Sequence, residues 1–224
     1  EFGNTFAFKP RFTLDSNDNL ILLNNPIRNN EDYLSYQEKL PEIQKGDEFY
    51  KRKFRSQQFR FPYIFSLMRH PIKQSLLVSA LAIRGACRVL GISSDKIENL
   101  PFKLVMKNNL RDAHALYKED KSKKLLSAIL LSFRDEAIRR GHTPLIVVMP
   151  QLLDLILGKG VVTPYQEYFE SLAKSLPVID FTNTFIQTDF EELYINDQYG
   201  GHLSVKGNSL VADEISIWLK LNSL

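Results

Sequence analysis

Residues Leu145, Ile146, Val147, Val148 and Met149 form an apolar run with no polar interruption. A strand buried on both faces needs no polar alternation, and that condition is met in parallel sheets covered by helices on either side. The flanking sequence supplies such helices. Leu125, Leu126, Ile129, Leu130, Phe133, Ala137 and Ile138 recur at helical spacing before the run, and Gly141 marks the stop. After it, Thr163 offers an N-cap with Pro164 at the first helical position, followed by Tyr168, Phe169, Leu172 and Ala173. Pro177, Val178, Ile179 and Asp180 then predict a second short strand. A last amphipathic helix carries Leu210, Val211, Ile215, Trp218, Leu219 and Leu221. Helix, strand, helix and strand joined by short links argue for a doubly wound parallel α/β sheet over residues 121–224.

The preceding sequence has a different character. Residues 12–14 and 20–23 are short apolar runs separated by Asp15, Ser16, Asn17, Asp18 and Asn19, whose side chains bond nearby backbone in turns. This predicts a β-hairpin within residues 1–30. Residues 31–120 read as a mostly helical insertion or cap. Its first half is rich in aromatics (Tyr33, Tyr36, Phe49, Tyr50, Phe54, Phe59, Phe61, Tyr63 and Phe65), with Pro41 and Pro62 expected to cut it into short helices. Leu76, Leu77, Ala80, Leu81, Ile83, Ala86, Cys87 and Leu90 predict one longer helix with a broad apolar face, closed by Gly91. The polar stretch 93–120 reads as a loop with one helical turn.

The 224 residues suffice for one sizeable domain, or one domain with an appendage. A formal charge of +3 gives no mandate for nucleic acid, and the basic runs at 51–53 and 121–124 read as solvated helix faces. The single cysteine, Cys87, excludes an internal disulfide framework and a cysteine zinc site. No apolar run approaches the roughly 20 residues that span a bilayer, and the first 11 residues contain no apolar core of a signal peptide. These features leave the compartment open between cytoplasm and cell envelope.

The segment from Asn196 to Asn208 carries the strongest chemical signal. It lies after the last strand and before the last helix, where ligands of open α/β sheets gather. Gly200 and Gly201 allow a tight turn, and His202 with a nearby carboxylate has the makings of a general base. The bland alternative for His202 is a loop histidine that packs against or caps the last helix. Asp180 ends a strand and reads chiefly as a helix cap. His70, His114 and His142 have no carboxylate or histidine at a metal-ligand spacing and read as structural or surface residues. Ser204 and Ser209 lack the strand-turn-helix context of an activated nucleophile.

Gly201, His202, Leu203, Ser204, Gly207 and Asn208, followed by a helix, resemble the final conserved block of SGNH/GDSL-type hydrolases. The upstream Gly141, His142, Thr143 and Pro144, the apolar run, and Val178, Ile179 and Asp180 resemble that family's fourth and fifth βα units. Phe8, Lys9, Pro10, Arg11 and Phe12, with Leu23, Asn24, Asn25 and Pro26, look like a segment that one bacterial subgroup carries just after the third block. The likeness touches residues 8–27 and 121–221. It implies an incomplete three-layer, flavodoxin-like fold with a helical insertion, and an ester hydrolase or O-acyltransferase. His202 would be the catalytic base, the ligand a carbohydrate, lipid or other small-molecule acyl ester, and no metal or organic cofactor is implied.

Two departures stand out. The family's aspartate usually lies three residues before the histidine, where this chain has Tyr199; the nearest upstream acid is Asp197. Either the glycines let Asp197 curl back to orient the imidazole, or it is a surface carboxylate. The family's Gly-Asp-Ser nucleophile motif does not occur here, and Gly3, Asn4 and Thr5 only faintly echo the third block. The resemblance therefore implies a serine supplied from upstream of residue 1 and an inactive isolated chain.

Two other classes compete. One is a non-catalytic carbohydrate-binding or assembly module on the same scaffold, with the aromatics of 31–65 lining a site. The other is a helix-turn-helix DNA-binding protein, echoed by residues 83–93, whose second helix would run from Ser94 to a stop at Pro101. Lys96 would be nearly its only basic side chain.

A sheet of only the two strands at 145–149 and 177–180 leaves apolar edges open. The isolated chain is therefore expected to be poorly soluble or partly molten; a sharp, cooperative calorimetric melt of the monomer would count against that expectation.

Overall fold

The computed structural model describes residues 11–47, 61–92, 94–158, 162–195 and 201–222. The contacts of the chain separate it into two units, Glu1–Val105 and Met106–Leu224. The long helix Leu100–Leu116 runs across that boundary.

In the first unit the predicted hairpin forms from β1 (Arg11–Leu14) and β2 (Leu20–Leu23), paired antiparallel with Phe12 opposite Leu22. Its turn is closed as the Asp/Asn cluster suggests. The Asp15 carboxylate accepts the backbone N–H groups of Asn17 and Asn19 at 2.8 Å each, and Asp18 takes the left-handed conformation at φ 61°. Two helices follow, α1 (Asn30–Leu34) and α2 (Tyr36–Gly46). Pro41 lies inside α2 and does not end it. Further on come α3 (Tyr63–Arg69), opened by Pro62 at its N-cap, and α4 (Pro71–Val89).

The broad apolar face expected of α4 is present but not buried. Only Gln74 and Ala80 are buried in that helix, whereas Leu76, Leu81 and Ile83 are exposed. Periodicity creates an apolar face; burying it requires a partner layer, which periodicity does not supply. Gly91 does stop the helix, with the Ile92 N–H bonded to the Cys87 carbonyl at 2.8 Å.

Residues 93–120 correct the expectation of a loop. They hold α5 (Asp95–Glu98) and α6, the 17-residue helix Leu100–Leu116. Ser94 caps α5 as the helix-turn-helix reading required, but Pro101 opens α6 where it was expected to stop a helix. Proline is tolerated in a first turn because its missing N–H has no intrahelical partner there. The second helix of that echo is thus a single turn of four residues, with Lys96 its one basic side chain.

The second unit holds the parallel pair. Strands β3 (Ile146–Val148) and β4 (Val178–Asp180) align Ile146 with Val178, Val147 with Ile179 and Val148 with Asp180. The period-2 alternation of a strand sends neighbouring side chains to opposite faces. Val147 and Ile179 accordingly pack on a core of Leu155, Phe181, Phe185, Leu193 and Tyr194. Ile146 packs on a separate core of Tyr168, Leu172 and Leu176.

The first core draws on α8 (Leu152–Leu157), α10 (Thr182–Gln187) and α11 (Val205–Leu221). The second draws on α7 (Asp120–Arg139) and α9 (Pro164–Leu172). Helices thus cover both faces, as a parallel pair demands. The described sheet has two strands, however, and the extended three-layer sheet expected from the sequence is not formed by the described residues. Its strands are half-buried, not fully buried. No helix among the described residues is long and apolar enough to cross a membrane.

Leu155 is fully buried in the first core, while Leu34 is 91% exposed. Leu155→Ala should lower unfolding stability by about 2–5 kcal/mol and Leu34→Ala by less than about 0.5 kcal/mol, measured as midpoint shifts in urea. Equal shifts would contradict the assigned core.

Candidate active site

The histidine loop is built from the helix it precedes. Ser204 is the N-cap of α11: its Oγ accepts the Gly207 N–H at 3.2 Å and donates to the Glu192 carbonyl at 2.7 Å. Leu203 reaches back into the core beside Leu193 and Tyr194. Asn208 donates from Nδ2 to the Leu203 and Ser204 carbonyls, and Lys206 pairs with Glu192.

Two backbone hydrogen bonds stitch the segment to residues 193–195. The Ile195 N–H donates to the His202 carbonyl at 2.9 Å, and the Ser204 N–H donates to the Leu193 carbonyl at 2.8 Å. Tyr194 and Leu203 form an antiparallel bridge between them. Gly207 explains why the approach is so close. A Cβ at that position would stand 2.4 Å from the Leu193 carbonyl oxygen, inside any permitted contact.

This stitched segment is in turn anchored at the carboxyl end of β3. The Tyr194 hydroxyl donates to the Pro150 carbonyl at 2.6 Å. Burial raises the Tyr194 pKa, with the Asp154 charge adding to it, so the hydroxyl stays a neutral donor at physiological pH. Around His202 the neighbours Leu203, Ser204, Gly207 and Asn208 each have a packing or capping task, and the His202 side chain is exposed. Asp197, its expected carboxylate partner, lies outside the described residues together with Tyr199 and Gly200. So do Gly3, Asn4 and Thr5, Phe8 to Pro10, the basic run 51–53, and the aromatics Phe49, Tyr50, Phe54 and Phe59.

The remaining candidates fall out differently. Asp180 precedes Phe181, the N-cap residue of α10, and accepts the Thr182 N–H at 2.8 Å and the Thr182 hydroxyl at 2.6 Å on one oxygen. Because the Thr182 proton is committed to Asp180, the Tyr165 hydroxyl must donate to Thr182 Oγ1 across their 2.9 Å contact. Burial pushes the Tyr165 pKa up to about 12, so the hydroxyl stays a neutral donor at physiological pH. His142 sits just past the Gly141 stop of α7, its N–H bonded to the Ala137 carbonyl. His70 joins α3 to α4.

His114 has a partner that its local sequence does not show. Its Nε2 lies 2.7 Å from Oδ1 of Asp154, a carboxylate only 7% exposed in a position 40 residues away. The other oxygen of Asp154 accepts the Gln151 N–H at 2.9 Å and closes the first turn of α8. The ring of Tyr165 stands 6.1 Å from that of His114. A buried carboxylate holding an imidazole is the orienting half of a general-base arrangement. No local signal in the sequence pairs the two, since α6 and α8 meet only in the fold.

His114 also lines a cavity of about 480 Å³ together with Lys107, Arg111, Lys118, Val162, Thr163 and Pro164. The Thr163 hydroxyl donates to Gln166 Oε1 at 3.0 Å and caps α9. Among the described residues, no group of three or more His, Cys, Asp or Glu side chains is placed to hold a metal ion. No protein-family model, curated protein or solved structure matches this chain.

The Gly207 approach carries a signed prediction. Glycine to alanine inside a helix ordinarily stabilises by about 1 kcal/mol. At Gly207 the added methyl must displace the Leu193 carbonyl, so Gly207→Ala should destabilise by about 1–3 kcal/mol, read as a lowered Tm. A raised Tm would refute the close approach.

Proposed function

We propose that this chain is the histidine-bearing portion of an SGNH-like ester hydrolase or O-acyltransferase, with His202 as general base. The observation that carries the reading is the construction of the loop. Leu203 is sunk in the core, Ser204 caps the helix, and Gly207 admits the strand-like segment that Tyr194 ties to the carboxyl end of β3. The exposed imidazole is the residue of this block whose type those tasks do not explain. Rigid support beneath an exposed imidazole is what a proton-transfer group requires.

In this mechanism His202 takes the proton of a serine hydroxyl as the serine oxygen attacks the ester carbonyl carbon. It then returns that proton to the departing alkoxide. Water, or an acceptor hydroxyl for an acyltransferase, repeats the sequence and releases the acyl group from the serine. Asp197 orients the imidazole and stabilises its charged form. The serine is supplied by sequence other than these 224 residues, which contain no Gly-Asp-Ser motif. The substrate is a small-molecule, carbohydrate or lipid acyl ester.

The test uses the full open reading frame that encodes these residues, assayed on short-chain aryl esters. His202→Ala should lower kcat/KM by about 10²–10⁴-fold with the circular dichroism spectrum unchanged. Asp197→Asn should reduce kcat while leaving KM nearly constant. Ester turnover that survives His202→Ala would remove His202 from the mechanism, and sugar binding without turnover would favour a non-catalytic module.

A further inference from the structure

We propose that the cavity beside His114 is a binding site for a small phosphate monoester carrying a compact apolar group. It is independent of the histidine loop. Lys107, Arg111 and His114 recur at i, i+4 and i+7 on α6, which places them on one face of the helix, and Lys118 follows in the turn beyond it. The macrodipole favours cations near a helix C-terminus, which accounts for Lys118. It does not account for Lys107, more than two turns earlier.

None of Lys107, Arg111 and Lys118 is in a salt bridge among the described residues. The second observation is the buried pair behind them. Asp154 grips the His114 imidazole at 2.7 Å and fixes the ring that faces the cavity. Among the described lining residues Lys107, Arg111 and Lys118 bring three positive charges to the cavity, with the Asp154 carboxylate engaged behind His114, and a phosphate monoester supplies the complementary negative charge. Arg111 supplies a planar fork suited to two phosphate oxygens, and the lysines act as point charges.

The apolar part of the lining selects the rest of the ligand. Leu110, Val162 and Pro164 present apolar surface to the same space, so a bare phosphate would leave it wet. The site is assigned to binding and not to phosphoryl transfer: no serine or cysteine is among its described lining residues, and the Thr163 hydroxyl is engaged with Gln166.

Phenyl phosphate titrated into the full chain by calorimetry, with inorganic phosphate and benzyl alcohol in parallel, tests this. Phenyl phosphate should bind most tightly, and Arg111→Gln should weaken it about tenfold, the loss of one charge-assisted contact. Lys107→Gln combined with Arg111→Gln should abolish detectable binding, while Lys96→Gln, on a different helix, should change nothing. All of these side chains are exposed, and circular dichroism confirms that each variant is folded. No heat with phenyl phosphate, or equal affinity in the double variant, overturns the site. Inorganic phosphate binding as tightly as phenyl phosphate overturns the apolar half of the assignment.

Discussion

The parallel pairing of β3 with β4 governs the second unit. Parallel strands cannot be joined by a tight turn, so a long crossover must separate them, and here that crossover contains α8 and α9. Their alternating side chains then require cover on both faces. Val147 and Ile179 meet the Phe181 and Phe185 core, and Ile146 meets the Tyr168 and Leu172 core. The backbone around His202 and the carboxylate of Asp154 are both positioned from the first of those layers.

The histidine loop illustrates the dependence. Its register is fixed by the hydrogen bonds of Leu193 and Ile195, and Leu193 is fully buried in the first core. Tyr194 reaches from the same segment to Pro150, immediately beyond β3. The backbone of His202 is therefore held by a chain of contacts that begins at the sheet. The His114 and Asp154 pair is held in a comparable way, since Asp154 closes the turn of α8 whose Leu155 lies in the same core.

The two histidines differ in what surrounds them. His202 is exposed on a loop whose neighbours are committed to structure, an arrangement suited to exchanging protons with a ligand brought to it. His114 is half-buried, gripped by a carboxylate, and lines a cavity with three cations that form no salt bridge among the described residues. That combination is the basis of the anion site proposed above, in which several cations converge on one cavity.

Much of the local structure was legible in the residues themselves. The hairpin follows from Asp15 accepting its own turn's N–H groups, and the α9 start from Thr163 and Pro164. The stops at Gly91 and Gly141 follow from glycine's ease at positive φ. These are effects of neighbouring atoms, so a short window of sequence contains them. Length and partnership were not legible: α6 was hidden because its polar side chains face solvent and the cavity, and Pro101 reads as a breaker until its place in the first turn is known. The exposure of α4's apolar face, the need for glycine at 207, and the meeting of His114 with Asp154 were decided by the tertiary structure. Each depends on which segment packs against which, a choice made by the whole chain's burial of apolar surface and not by any residue's own preference.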